Sequence, residues 1–276
     1  MTNDKYLMKE CLRHIIILLF TLLISTQVFA SYISLNTSVT TKVEDNRLKV
    51  LVAVTNKGDE SAHNVQAEIR VGAKTIMAEK VQELGIDKTY KGMADVSLAG
   101  NRPGQYPLVV IMHYADANMY PFSAPTAQTF SYRSEELPSD LFGKIKSVTF
   151  WKKGELTSTI KNLGEQEIVG TAKLVIPREL SAGQTEQPIK VSAKGEDGAT
   201  FQLENFSALS GSTYQIFLVN EYELDNIHRT NITSGQVKIV EASQVMGINT
   251  QLLLVALAVL LTVFILVQFG GSIFKK

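Results

Sequence analysis

The chain has 276 residues, 45% of them hydrophobic, and its 27 lysines and arginines balance 27 aspartates and glutamates. That balance lacks the basic excess that nucleic-acid binding normally leaves, and no acidic run marks a solvated tail. The length suits about two domains, and one cysteine, Cys11, excludes a disulfide framework.

Residues 1–30 read as a secretory signal peptide. Lys5, Lys9 and Arg13 precede an apolar run from Ile15 to Ile24, and Val28-Phe29-Ala30 supplies a cleavage site before Ser31. An uncleaved signal anchor is the alternative. Cys11 lies ahead of the apolar run, so it is not a lipoprotein cysteine, and cleavage leaves no thiol chemistry.

From Ser31 the dominant period is two. Leu48, Val50, Val52 and Val54 alternate with Lys49, Leu51, Ala53 and Thr55, and Val65, Ala67, Ile69 and Val71 alternate with Gln66, Glu68 and Arg70. Turn residues punctuate these runs, at Asn56-Lys57-Gly58-Asp59 and Gly100-Asn101-Arg102-Pro103-Gly104. No stretch between residues 31 and 241 carries a helical period, which predicts an all-β sandwich or barrel.

The chain then repeats itself. Asn56-Lys57-Gly58 recurs as Asn162-Leu163-Gly164, Leu98 is matched with Leu203, and Tyr106–Tyr114 (YPLVVIMHY) recurs as Tyr214–Tyr222 (YQIFLVNEY). Several matches at a nearly constant offset predict two copies of one domain. The boundaries expected are 31–133 and 144–241, with a polar linker at 134–143. A short stalk (242–247) leads to an uncharged stretch from Ile248 to Phe269. As a helix that stretch rises about 33 Å, enough to cross a hydrocarbon core. Lys275 and Lys276 in the tail 270–276 place the C-terminus in the cytoplasm and residues 31–247 outside.

VAVTNKGDESAHNVQAEIRV and RPGQYPLVVIMHYAD resemble the immunoglobulin-like modules of bacterial and archaeal proteins known as CARDB and NEW3. STIKNLGEQEIVGTAKLVIP and SGSTYQIFLVNEYELD resemble the same scheme more loosely. The resemblance implies seven- or eight-stranded sandwiches serving as adhesion, spacer or accessory domains of the envelope, and no catalytic residue. The fold class expected is therefore all-β: two tandem immunoglobulin-like β-sandwiches plus one C-terminal transmembrane helix.

Few residues suggest chemistry. His63, His113 and His228 lack metal-ligand spacing, and Ser210-Gly211-Ser212 precedes a strand, unlike a nucleophile elbow. Asp116 with Asn118, and Asp225 with Asn226, read as hairpin turns before calcium ligands. Asn36, Asn205 and Asn231 sit in N-x-S/T sequons and are expected to be unmodified. Tyr106 and Tyr214 are expected to place their rings in the core and return their hydroxyls to backbone or solvent. Trp151, the sole tryptophan, reads as a partly buried residue of a first strand or as a partner contact. No enzyme, cofactor or metal is expected. The expected function is extracytoplasmic binding or structure on the plasma membrane, toward an envelope protein or glycan. The alternative is an accessory subunit presenting carbohydrate to an envelope enzyme complex.

Overall fold

The computed structural model describes residues 32–135, 138–241, 244–245, 248–249 and 252–261. The expected signal peptide and the tail after the apolar stretch lie outside the described residues.

The first sandwich is built from Leu35–Glu44 (β1), Arg47–Asn56 (β2), Ala62–Val71 (β3), Lys74–Met77 (β4), Val81–Leu84 (β5), Thr89–Ser97 (β6), Gly104–Ala115 (β7) and Pro121–Tyr132 (β8). One sheet has the order β1-β2-β6; the facing sheet sets β7 between β3 and β8, with β4 and β5 on β3. Alternation does what period two dictates: Leu48, Val50, Val52 and Val54 are buried while Arg47, Lys49 and Leu51 are exposed. These side chains meet Ile69, Leu108, Val110 and Met112 in one core. Each fully buried Val, Leu or Ile contributes about 1.5–3 kcal/mol.

The second sandwich follows from Leu141–Ile145 (β9), Val148–Phe150 (β10), Lys153–Asn162 (β11), Ile168–Val175 (β12), Leu180–Ala182 (β13), Glu186–Val191 (β14), Glu196–Asn205 (β15), Thr213–Leu224 (β16) and Ile227–Ile239 (β17). Its sheets run β13-β15-β11-β9 and β14-β12-β16-β17, with β10 parallel to β17. The strand scheme repeats the first, and both sandwiches are immunoglobulin-like. A separate core gathers Leu156, Ile160, Leu174, Phe201 and Leu218.

The repeated Asn-x-Gly has a different cause from the one its letters suggest. Neither Asn56 nor Gly58 adopts a positive φ. Asn56 is fully buried, donates to the carbonyls of Glu60 and Leu84, and accepts from Gly58 N–H at 3.0 Å. Asn162 is equally buried; it donates to Gln166, Val191 and Ser192 and accepts from Gly164 at 2.9 Å. One carboxamide thus ties two loops to a strand end in each sandwich. Gly58 is there because a Cβ would lie 2.2 Å from the Tyr32 carbonyl oxygen. The match of Leu98 with Leu203 is corrected by register. Val96 pairs Leu48 and Leu203 pairs Gly154, each eight residues before its asparagine, so Leu203 corresponds to Val96.

The two sandwiches lie back to back. Val109 and Ile111, on the β7 face opposite Leu108 and Val110, pack against Val175 and Val219 of the second sandwich. At one end of this seam His228 bridges to Gly104, making β7 and β17 locally parallel, and Thr230 Oγ1 donates to the Gln105 carbonyl at 2.8 Å.

Past β17 the expectation needs correction. Residues 244–245 (β18, Gln244–Val245) pair with β19 (Ile248–Asn249), so a small hairpin occupies part of the expected stalk and the start of the expected span. A helix, α1, covers 252–261. Among the described residues no helix is long and apolar enough to cross a membrane. Positions 250–251 and 262–269 of the expected span lie outside them.

Candidate partner-binding surfaces

Among the described residues no group of three His, Cys, Asp or Glu side chains is placed to hold a metal ion. His113 faces away from the first core, and its Nε2 lies 2.7 Å from Glu68, which also accepts from Arg70 Nε at 2.6 Å. Burial pushes the Glu68 carboxyl up, but the bonds from Arg70 and His113 prevail and hold it below its ordinary value. His228 is the second residue of β17. Its ring stacks on Tyr106 with centroids 4.1 Å apart, and its Nε2 lies 3.2 Å from Glu221. Burial likewise raises Glu221, and His228 with Lys173 more than offsets this, leaving the carboxyl lowered.

The remaining candidates are turn chemistry. Asp116 accepts from Tyr120 N–H at 2.8 Å, and Asp225 and Asn226 take left-handed φ values of 53° and 62° between β16 and β17. Gly211, at φ 82°, separates Ser210 from Ser212 in a turn. Asn205 and Asn231 spend their carboxamides on structure: Asn205 donates to Trp151 and Ala208 carbonyls, and Asn231 accepts from Asn220. Asn36 is exposed on β1. The Tyr106 hydroxyl donates to the Arg102 carbonyl at 2.8 Å, and the Tyr214 hydroxyl accepts from Leu209 N–H at 3.0 Å.

The outer face of β1-β2-β6 is open. Leu51 sits opposite Met93 in register, with Thr40 on the other side of Leu51. Met93 is 74% exposed. Lys42, Lys49 and Asp95 border a shallow groove of about 500 Å³ over this pair. Among the described residues, β1 and β6 have no sheet neighbour on their outer sides. An apolar centre, a charged rim and unpaired strand edges suit docking of another chain.

Trp151 lies in the bend between β10 and β11, 38% exposed, rather than within a first strand. Its neighbour in space is the loop 205–212: Asn205 N–H donates to the Lys152 carbonyl at 2.8 Å. Phe206 and Leu209 on that loop are exposed. Sequence inspection passed over Phe206 because a lone aromatic in a polar loop carries no periodic signal.

Sequence also missed Glu179. It is buried between the sandwiches, where it accepts from Ser123 N–H at 2.8 Å and from Ser123 Oγ at 2.7 Å. Ser123 Oγ in turn accepts from Arg178 N–H, and the Glu179 carbonyl accepts from Phe206 and Ser207. Nearby, burial pushes the Tyr114 hydroxyl up to about 12, with Glu179 adding to the rise. The Tyr120 hydroxyl donates to the Ser207 carbonyl across the same seam.

No family model and no curated relative matches the chain. Solved structures similar to it include red sea bream transglutaminase, at 11% identity and TM-score 0.28, over 75% of this chain and 31% of that one. Another is the native conformation of alpha-2-macroglobulin from Escherichia coli, at 9% identity and TM-score 0.30, over 75% and 17%. A third is a protein of unknown function from Porphyromonas gingivalis W83, at 8% identity and TM-score 0.28, over 74% and 99%. The chain thus spans less than a third of the first two proteins. At these scores the likeness carries no argument, and the fold assignment rests on the strand order described above.

Proposed function

We propose that this protein is a single-pass, membrane-anchored extracytoplasmic binding or structural protein whose sandwiches engage an envelope protein or surface polymer. In this reading the sandwiches are modules of the CARDB/NEW3 kind. The part of the uncharged stretch 248–269 that follows the β18–β19 hairpin anchors the chain in the plasma membrane, with Lys275 and Lys276 on the cytoplasmic side. Anchoring raises the effective concentration of a weak contact.

The observation that carries the proposal is the open Leu51–Met93 face, framed by charge on a sheet whose two outer edges are unpaired. Among the described residues the exposed aromatics Tyr32, Phe142, Trp151 and Phe206 share no sheet face, so presentation of carbohydrate along an aromatic row ranks second. The test places a photo-cross-linker beside Met93 in full-length protein in cells and compares it with Leu51→Lys/Met93→Lys. A discrete adduct that the double variant loses supports the reading. No adduct, or the same adduct from both, overturns it.

A further inference from the structure

The end of the second sandwich where the chain leaves it is also where its apolar loops gather. Val240 N–H donates to the Phe150 carbonyl at 3.0 Å, and Gly211 N–H donates to the Ile239 carbonyl at 2.8 Å. The bend holding Trp151 and the loop holding Phe206 and Leu209 therefore flank the exit strand. Phe206 is 79% exposed and Lys152 beside Trp151 is exposed as well. The first sandwich contributes Met119, exposed in the β7–β8 turn, one residue from the Tyr120 that bonds Ser207.

Only ten residues separate Glu241 from Leu252, the first described residue of the apolar helix. Fully extended they would span about 35 Å, and the β18–β19 hairpin folds back within them. The described chain also starts at this end: Tyr32 N–H donates to Asp59, and Ala117 N–H donates to the adjacent Glu60. A Trp, a Phe and a Leu exposed together are costly in water. They are favoured at a membrane–water boundary, where rings sit at headgroup level and lysines reach anionic phosphates.

We infer that Trp151, Phe206 and Leu209, with Met119 beside them, insert into the headgroup region of the bilayer and seat the double sandwich on the membrane. This rests on the anchoring reading and adds an orientation to it: the Leu51–Met93 face then stands beside the membrane, clear of the loops that touch it. The contact is non-covalent and needs no further ligand.

The sole tryptophan is the probe. Full-length protein is reconstituted into phosphatidylethanolamine–phosphatidylglycerol vesicles whose acyl chains are brominated close to the headgroup. Flotation with the vesicles reports anchoring; quenching of tryptophan fluorescence reports the seating. The expected result is flotation with quenching of at least half the emission. Phe206→Ser/Leu209→Ser should reduce that quenching severalfold. Phe142→Ser, also exposed but opposite Lys161 at the end of β11 remote from Trp151, should leave it unchanged. Flotation without quenching, or quenching indifferent to the Phe206/Leu209 changes, overturns the seating and leaves anchoring intact. Failure to float overturns the anchor, and the seating falls with it.

Discussion

In the second sandwich β10, running parallel from Val148 to Phe150, covers the outer edge of β17 over Val237–Ile239. In the first, β8 pairs with β7 alone among the described residues and packs Ser123 and Ala127 on the other sandwich. The first strands differ to match. β1 runs ten residues unbroken on β2, whereas β9 and β10 belong to opposite sheets. Glycine permits that crossing: a Cβ on Gly143 would lie 1.9 Å from Thr233 Oγ1, and one on Gly235 would lie 2.7 Å from Ile145. Interior positions are therefore repeated while edges are not. An interior strand must satisfy the same two neighbours in both copies, but an edge has unpaired N–H and C=O groups whose fate depends on what lies beside it. The break in the first strand also carries Trp151 to the exit end.

The comparison can be broken most forcefully at the two buried asparagines. Asn162→Ala and Asn56→Ala each leave loop carbonyls and a glycine N–H unpaired, and each should cost about 3 kcal/mol. Asn162→Ala should be the worse, since it also loses Ser192. Urea unfolding of both variants checks this; a loss under about 1 kcal/mol in either would show that the two sites are not equivalent.

The seam is the next test. Glu179→Ala strands Ser123 N–H and hydroxyl between the sandwiches and should cost about 2 kcal/mol. If the seam couples the sandwiches, calorimetry should turn one unfolding transition into two, the second sandwich melting apart from the first.

Acid probes the seam more gently. Glu221 and Glu68 titrate below their ordinary value in the folded chain, so the fold favours their charged forms. Their contribution is present above the unfolded value of about 4.3 and is lost as pH falls through the lower folded value. The melting temperature should therefore drop below about pH 4, and Glu221→Gln should flatten that drop. A wild-type profile unchanged by Glu221→Gln would remove this carboxylate from the account.

The smallest effect on stability belongs to the open face. Met93→Lys should change unfolding free energy by less than about 0.5 kcal/mol while removing the cross-linked partner. A large destabilisation would mean that the face supports the fold and is not free for docking.

Much of the architecture was legible from letters. Alternation marked β2 and β3, Asp225-Asn226 marked a hairpin, and Tyr106 and Tyr214 returned their hydroxyls to the preceding loops as expected. Asn56 and Asn162 read from letters as repeated turn residues, because a buried carboxamide and a turn residue are the same letter. Leu98 was paired with Leu203 because leucines recur often; only the ladder shows that Val96 holds that place. Of the surface residues, Trp151 stood out by rarity, whereas Phe206 and Met93 gave no signal.

Sequence by itself determined the all-β class, the buried faces of β2 and β3 and the doubling of the scheme. Those follow from side-chain alternation and turn preference within about ten residues of each position. Tertiary structure decided which outer faces meet, that Glu179 reaches Ser123 56 residues away, and that Thr230 reaches Gln105 across 125. No local pattern encodes such pairs. A valine facing water and a valine facing another sheet read alike until the second sheet is in place.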